Sequence, residues 1–243
     1  MIKHLVVAAA FAAVAVPAQA VTVTQWNFNS VPSDASSSTG SLVASVGSGV
    51  ASLVGGTTAT FASGNASGGS TDPDTSTNDS GWNLTAWAAQ GAGDKSRGAR
   101  FDTGTTGFDS VVVSWDQRHS NTSSRYAQFQ YSTDGIAFHD FGTAFAADPG
   151  DVWYNGRSVD LSSVAGVADN ASFAFRIVAA FAPGESGYVA STPGSSYGTA
   201  GTWRFDMVTV SAAPMAPVPE PETCAMLLAG LAALGVVARR RAA

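Results

Sequence analysis

The stretch Asp72-Pro73-Asp74-Thr75-Ser76-Thr77-Asn78-Asp79 gathers more hard oxygen donors than any other in the chain. Asp72, Asp74, Asn78 and Asp79 together offer the donor type that Ca²⁺ prefers, since it takes 6–8 oxygens. The spacing is not that of an EF-hand, because the required Gly and the closing Glu are missing. Two readings stand side by side: a calcium loop, or a solvated loop whose Asp and Asn side chains cap their own backbone.

A second polar concentration runs from Trp115 to Tyr126, reading WDQRHSNTSSRY. Arg118, Asn121, Arg125 and Tyr126 supply an aromatic plane beside donors and acceptors, the combination that holds a sugar. The competing reading is structural, with Arg118 and Arg176 paired to Asp116 and Asp206 across a sheet face. Trp82 and Trp87 admit two roles as well, capping the core or forming an exposed stacking platform.

Catalytic signatures are weak. Hydrolysis of a glycoside needs two carboxylates flanking one bond, yet most aspartates sit in turn settings such as Thr133-Asp134-Gly135, and Glu185 lies in Pro183-Gly184-Glu185-Ser186-Gly187. Gly194-Ser195-Ser196-Tyr197-Gly198 matches G-x-S-x-G on paper, but nothing helical follows it. Gly91-Ala92-Gly93-Asp94-Lys95-Ser96 fails as a phosphate loop, with Asp94 where Gly must precede Lys. His119 and His139 lack the thiolate help and close spacing of a transition-metal site and read as solvated or hydrogen-bonded.

The elements that must position these groups are strands. Lys95 is the only lysine and Glu185 the only glutamate between Val21 and Pro217, while Gly, Ser, Thr, Ala and Asp dominate. Helix formers are scarce and turn formers abundant. Short alternations recur: Phe173, Phe175, Ile177, Ala179 and Phe181 on one face; Val111, Val113 and Trp115 on another; Trp203, Phe205 and Met207 on a third, with Arg204 and Asp206 opposite. Ser132-Thr133-Asp134-Gly135 reads as a tight hairpin turn leading into a strand over Ile136–Phe141, and Gly187–Ala190 as a further short strand. The strands from Phe108 and to Ser132 are expected to pair antiparallel. Ser63 to Ser80 is so polar that it is expected on the surface. About ten short strands with no helix predict an all-β, two-sheet antiparallel sandwich, a jelly roll of the galactose-binding-like or lectin-like kind.

Net charge is −6 over 243 residues. Without Lys3, Arg239–Arg241, Glu220 and Glu222 the body keeps eight basic and sixteen acidic residues, which excludes a phosphate-binding face for nucleic acid. The one cysteine, Cys224, lies in the tail, so the body has neither a disulfide nor a thiolate metal site.

Both ends are addressed to a membrane. Lys3, the apolar run Leu5 to Val16 and Ala18-Gln19-Ala20 form a secretory signal peptide, residues 1–20. At the other end, Val218-Pro219-Glu220-Pro221-Glu222 precedes an unbroken small and apolar run, Cys224 to Ala238, and then Arg239, Arg240 and Arg241. The run is short for a bilayer span of about 20 residues, and the arginines hold the cytoplasmic side. In this order of parts the stretch resembles the PEP-CTERM sorting domain, with Cys224 where an aromatic residue is more usual. The resemblance implies a Gram-negative, exopolysaccharide-producing source, transient association with the inner membrane, recognition by exosortase, cleavage near Pro219–Pro221, and release or attachment at the cell surface.

The organisation expected is therefore a signal peptide (1–20), a β-sandwich (21–211), a Pro-containing linker (212–217) and a sorting signal with a short transmembrane segment (218–243). The expected function is non-enzymatic contact with polysaccharide in the surface or biofilm matrix, with Ca²⁺ as the one cofactor in view. The alternatives are an exopolysaccharide-modifying hydrolase or lyase, and a purely structural matrix protein.

Overall fold

A computed structural model describes residues 19–216 and 221–242. The apolar core of the expected signal peptide, and Pro219 and Glu220 of the sorting motif, lie outside the described residues. The chain forms two compact units, one of them Gln19–Pro214.

That unit holds twelve strands: β1 (Val21–Trp26), β2 (Val50–Val54), β3 (Thr58–Ser63), β4 (Ser80–Thr85), β5 (Gly98–Asp102), β6 (Phe108–His119), β7 (Tyr126–Ser132), β8 (His139–Asp140), β9 (Phe145–Ala146), β10 (Trp153–Asp160), β11 (Ala174–Ala180) and β12 (Trp203–Pro214). They build two six-stranded sheets. In the first the order is β10-β6-β12-β4-β3, with β1 also on β12; in the second it is β2-β5-β11-β7-β8, with β9 also on β7. All strand pairings are antiparallel.

Four of these pairings are nested along the chain: β1 with β12, β5 with β11, β6 with β10, β7 with β8. Nested pairs that alternate between two sheets are one long hairpin rolled up, the topology of a jelly roll. The remaining strands are additions: β2 widens the second sheet beyond β5, and the β3–β4 hairpin widens the first beside β12.

Alternation places the aromatics between the sheets. Trp26, Phe101, Trp115, Phe129, Phe175, Trp203 and Phe205 are buried. Phe101 and Phe129 flank Phe175 at ring distances of 5.0 and 5.6 Å, and Trp115 stacks on Phe129 at 5.7 Å. Each fully buried Phe stabilises by about 1.5–3 kcal/mol, and stacked pairs add about 0.5–1.5 kcal/mol. Trp82 and Trp87 belong to this core; Trp87 donates its indole N–H to the Gly201 carbonyl at 2.8 Å.

Several sequence expectations change here. The strands β6 and β7 do not pair; they lie in opposite sheets, joined by the segment between His119 and Tyr126. Met207 does not continue the inward row of Trp203 and Phe205. It takes a left-handed backbone (φ 47°), and the β6–β12 register shifts between Asp206 and Thr209. Past this bulge Val208, Val210 and Ala212 face the core instead. The strand expected over Ile136–Phe141 shrinks to His139–Asp140, because Asp134 Oδ1 accepts the Ile136 and Ala137 N–H groups, both at 2.8 Å. Gly187–Ala190 forms only a bridge between Ser124 and Ala190. The linker begins later than the sequence implied, since β12 runs through Pro214, opposite Phe108.

The second unit contains α1, Pro221–Ala242, which starts on the proline of the sorting motif and closes on Arg239, Arg240 and Arg241. Among the described residues no helix is long and apolar enough to cross a membrane. Cys224 to Ala238 is fifteen residues, about 22 Å of helix against a hydrocarbon core of about 30 Å.

Candidate functional site

The polar loop between β3 and β4 does not simply lie in solvent. It folds back over the outer face of the first sheet, and the sheet's outward side chains hold it there. Thr71 gives both its N–H and its hydroxyl to Asp116 Oδ2, at 2.6 and 2.7 Å, while Asp116 Oδ1 takes the Gly156 N–H. Ser70 donates to Asp206 Oδ2 at 2.7 Å, Trp153 Nε1 to the Ala66 carbonyl at 2.8 Å, and Asn155 Nδ2 to the Gly69 carbonyl at 3.0 Å. Arg204 reaches the Ser63 carbonyl. Neither arginine makes the pairing expected from sequence. Arg118 goes to Asp151, and Arg176 goes to Gln130, its guanidinium lying 4.4 Å over the Phe138 ring.

Under this loop Asp72, Asp79 and Asp206 converge. One carboxylate oxygen from each lies within 4.8 Å of the others, and all three residues are buried. The bulge at Met207 helps aim Asp206, whose Oδ1 accepts the Met207 N–H at 2.7 Å. Asp72 is held by Asn29 Nδ2 at 3.0 Å and by the Asp74 N–H at 2.8 Å. Asp79 Oδ1 is buried without any hydrogen-bond partner. Gly64 makes room for it: a Cβ there would stand 2.0 Å from that oxygen. Among the described residues no cationic side chain forms an ion pair with any of the three.

The electrostatics follow from that crowding. Burial, then the charges of Asp72 and Asp74, pushes the Asp79 carboxyl up to about 7. Burial raises Asp206 well above the carboxylate range, and raises Asp72 as well. The other two residues of the expected calcium set stand apart. Asp74 caps Ser76, whose hydrogen bonds hold its carboxyl below the usual range. Asn78 receives the Asp34 N–H on its amide oxygen. Asp206 was missed in the sequence because it sits in a strand far along the chain; its one signal was a carboxylate on an outward-facing strand position.

The expected sugar-binding residues meet a different loop, Ala147–Asp151. Arg118 Nη2 and Asn121 Nδ2 both donate to the Asp151 carboxylate, at 2.6 and 2.7 Å. Arg125 Nη1 lies 3.0 Å from Asp148 Oδ2, and its Nε donates to the Ala190 carbonyl. Tyr126 is half-buried at the start of β7, opposite Ala146 and Ala180. Arg118 also faces Trp153 across the β6–β10 pairing, so a half-buried indole stands beside the arginine on an edge strand. The sequence reading passed over Trp153.

Of the two histidines, His139 is exposed on β8, 5.7 Å from the Tyr131 ring. His119 is fully buried, with Nδ1 2.8 Å from the Ser124 carbonyl and Nε2 unpartnered. Burial, and then the nearby Arg157 guanidinium, holds its imidazole well below the ordinary range.

Residues 217–241 match the PEP-CTERM protein-sorting motif, and the chain is in that respect an exported exosortase substrate. No curated protein sequence matches the chain. Among solved structures it is similar to the CBM22-1 xylan-binding domain of Xyn10C from Paenibacillus barcinonensis, at 11% identity and a TM-score of 0.41, over 68% of this chain and 87% of that one. It is also similar to the CBM22-1-GH10 modules of xylanase 10B from Clostridium thermocellum, at 13% identity and a TM-score of 0.40, over 69% of this chain and 27% of that one.

Proposed function

We propose that this chain is a surface-delivered binding protein that engages polysaccharide at the rim of its sandwich, without transforming it, in the extracellular matrix of a Gram-negative host. The observation that supports this most is the neighbourhood of Trp153. An indole on an edge strand, next to Arg118, Asn121 and Asp151, offers a plane for a sugar ring and donors and acceptors for its hydroxyls. Arg125, Asp148 and Tyr126 continue the same rim. Because these groups already hold one another, little ordering cost remains for binding. In this reading the tail's contact with the inner membrane is transient and ends with exosortase cleavage.

The test is affinity electrophoresis of the exported protein through gels containing the host's own exopolysaccharide. Wild type should be retarded and Trp153→Ala should run free, the cost of losing the indole's hydrogen bond to the Ala66 carbonyl being read separately from the variant's melting temperature. Unretarded wild type, or equal retardation of the variant, would overturn the proposal. Release of reducing ends or unsaturated sugars would point instead to a hydrolase or lyase.

A further inference from the structure

We propose that Asp72, Asp79 and Asp206 bind one divalent cation, Ca²⁺, which clamps the β3–β4 loop to the outer face of the first sheet. The proposal stands independently of any polysaccharide ligand. Its first support is geometric. Oxygens mutually within 4.8 Å fit on one coordination sphere, because ligands at about 2.4 Å on opposite sides of a calcium ion stand about 4.8 Å apart.

The second support is the orphaned oxygen. Asp79 is 1% exposed, and its Oδ1 has no donor. A buried carboxylate oxygen without a partner carries its full desolvation penalty, and here two more buried carboxylates stand beside it. Keeping position 64 free of a side chain, burying three carboxyl groups together and breaking the regular register of β12 at Met207 all work against stability on their own. A dication at the point where the three carboxylates meet offsets them together.

Donor chemistry selects the ion. All three ligands are carboxylate oxygens, with no nitrogen or sulfur, which disfavours zinc and copper. Mg²⁺ keeps several of its waters, whereas a site closed beneath a loop strips them; Ca²⁺ accepts irregular, protein-supplied shells. The neighbouring carboxylate, Asp116, is fully engaged by Thr71 and Gly156 and serves as the loop's second pin rather than as a ligand.

The experiment uses the full purified chain, stripped with EGTA and titrated with calcium chloride. Calorimetric titration should show one site per chain. Ca²⁺ at a hundredfold excess over Kd should raise the melting temperature by about 5–10 °C. Asp79→Asn and Asp206→Asn should abolish that rise, while Asp74→Asn keeps it. The sign in chelator is the sharper readout: without the ion Asp79→Asn relieves repulsion, so it should melt no earlier than wild type in EGTA yet earlier in Ca²⁺. Absence of calcium binding by wild type would overturn the proposal even if no variant folds. An Asp79→Asn variant more stable in both conditions would overturn it too, leaving carboxyl groups that share a proton.

Discussion

As the pH falls, protonation of one residue, His119, should withdraw stability from the sandwich, and an upper bound on that contribution can be worked out. His119 ends β6 inside the core, where its ring lies 4.7 Å from Trp203 and 6.2 Å from Tyr154. With the Ser124 carbonyl 2.8 Å from Nδ1, that nitrogen carries the proton and donates it, leaving Nε2 as the bare, unpartnered acceptor. Protonating Nε2 would bury a second cation beside Arg157, whose own guanidinium burial has already lowered to about 10. The folded value is therefore depressed, while the unfolded chain titrates at the ordinary 6.5. Between those two values the unfolded state binds the extra proton, so stability is full above about pH 6.5 and falls as the pH drops toward the folded value. The slope is about 1.4 kcal/mol per pH unit. Between about pH 6.5 and 4.5 this slope sets a ceiling of roughly 3 kcal/mol on the His119 contribution, against a typical 5–15 kcal/mol total. Urea unfolding of wild type and His119→Asn, at fixed calcium concentration, measures it. Asparagine keeps a donor for Ser124 and does not titrate. The buried aspartates run the other way, because their raised values make folding take up protons, but they are common to both proteins and cancel in the difference. The gap between wild type and variant should narrow as the pH falls through that range, by no more than roughly 3 kcal/mol; a gap that stays constant with pH would refute the assignment of a buried neutral imidazole.

Three further outcomes are expected. Phe129→Ala should cost roughly 3–5 kcal/mol in urea unfolding, because the ring is fully buried between Trp115 and Phe175. Tyr126→Ala, at a half-buried rim position, should weaken polysaccharide retardation with far less loss of stability; equal melting of the two variants would show that Tyr126 belongs to the core. In an exosortase-bearing host, mass spectrometry of the surface form should find a C-terminus near Pro219–Glu222 and no Arg239–Arg241, within the matched motif; secreted protein ending at Ala243 would refute processing.

How much of this was legible in the sequence depends on how local each signal is. The alternation in Phe173 to Phe181 and in Val111 to Trp115 is a property of consecutive residues, and it located β11 and β6 within a few positions. The sorting tail is equally local and was readable outright. β4 was missed because it follows a run of Gly, Ser and Asp and itself contains Gly81, a residue that weakens strand signals. The glycine is needed because a Cβ there would lie 2.5 Å from Arg204 Cγ. Pairing is much less local. β6 and β7 are neighbours in sequence and look like a hairpin, yet in a nested topology β6 pairs with β10 and β12, and β7 with β11 as well as with the adjacent β8.

The candidate metal centre shows the same limit at the scale of single residues. The loop Asp72–Asp79 advertised its oxygen donors, and two of them, Asp72 and Asp79, do reach the cluster. Asp74 and Asn78 carry the same chemistry in the same stretch, but their side chains are used by Ser76 and Asp34 at the loop's outer edge. Nothing in donor type distinguishes the two pairs; what does is which side of the loop faces the sheet, and Thr71 on Asp116 and Ser70 on Asp206 decide that. The third carboxylate comes from a strand whose register slips by one bulge, and a slip of one residue turns a strand's side chains over to the opposite face. Met207 takes the strained left-handed conformation, a cost of about 1–3 kcal/mol. That strain lets Trp203 and Phe205 before the bulge, and Val208 and Val210 after it, all face the core, while Asp206 stays under the loop. The irregular step at Met207 in β12 thus falls where a carboxylate must face a loop and the core must remain closed, which is the arrangement expected if binding, rather than packing, fixed that residue's place.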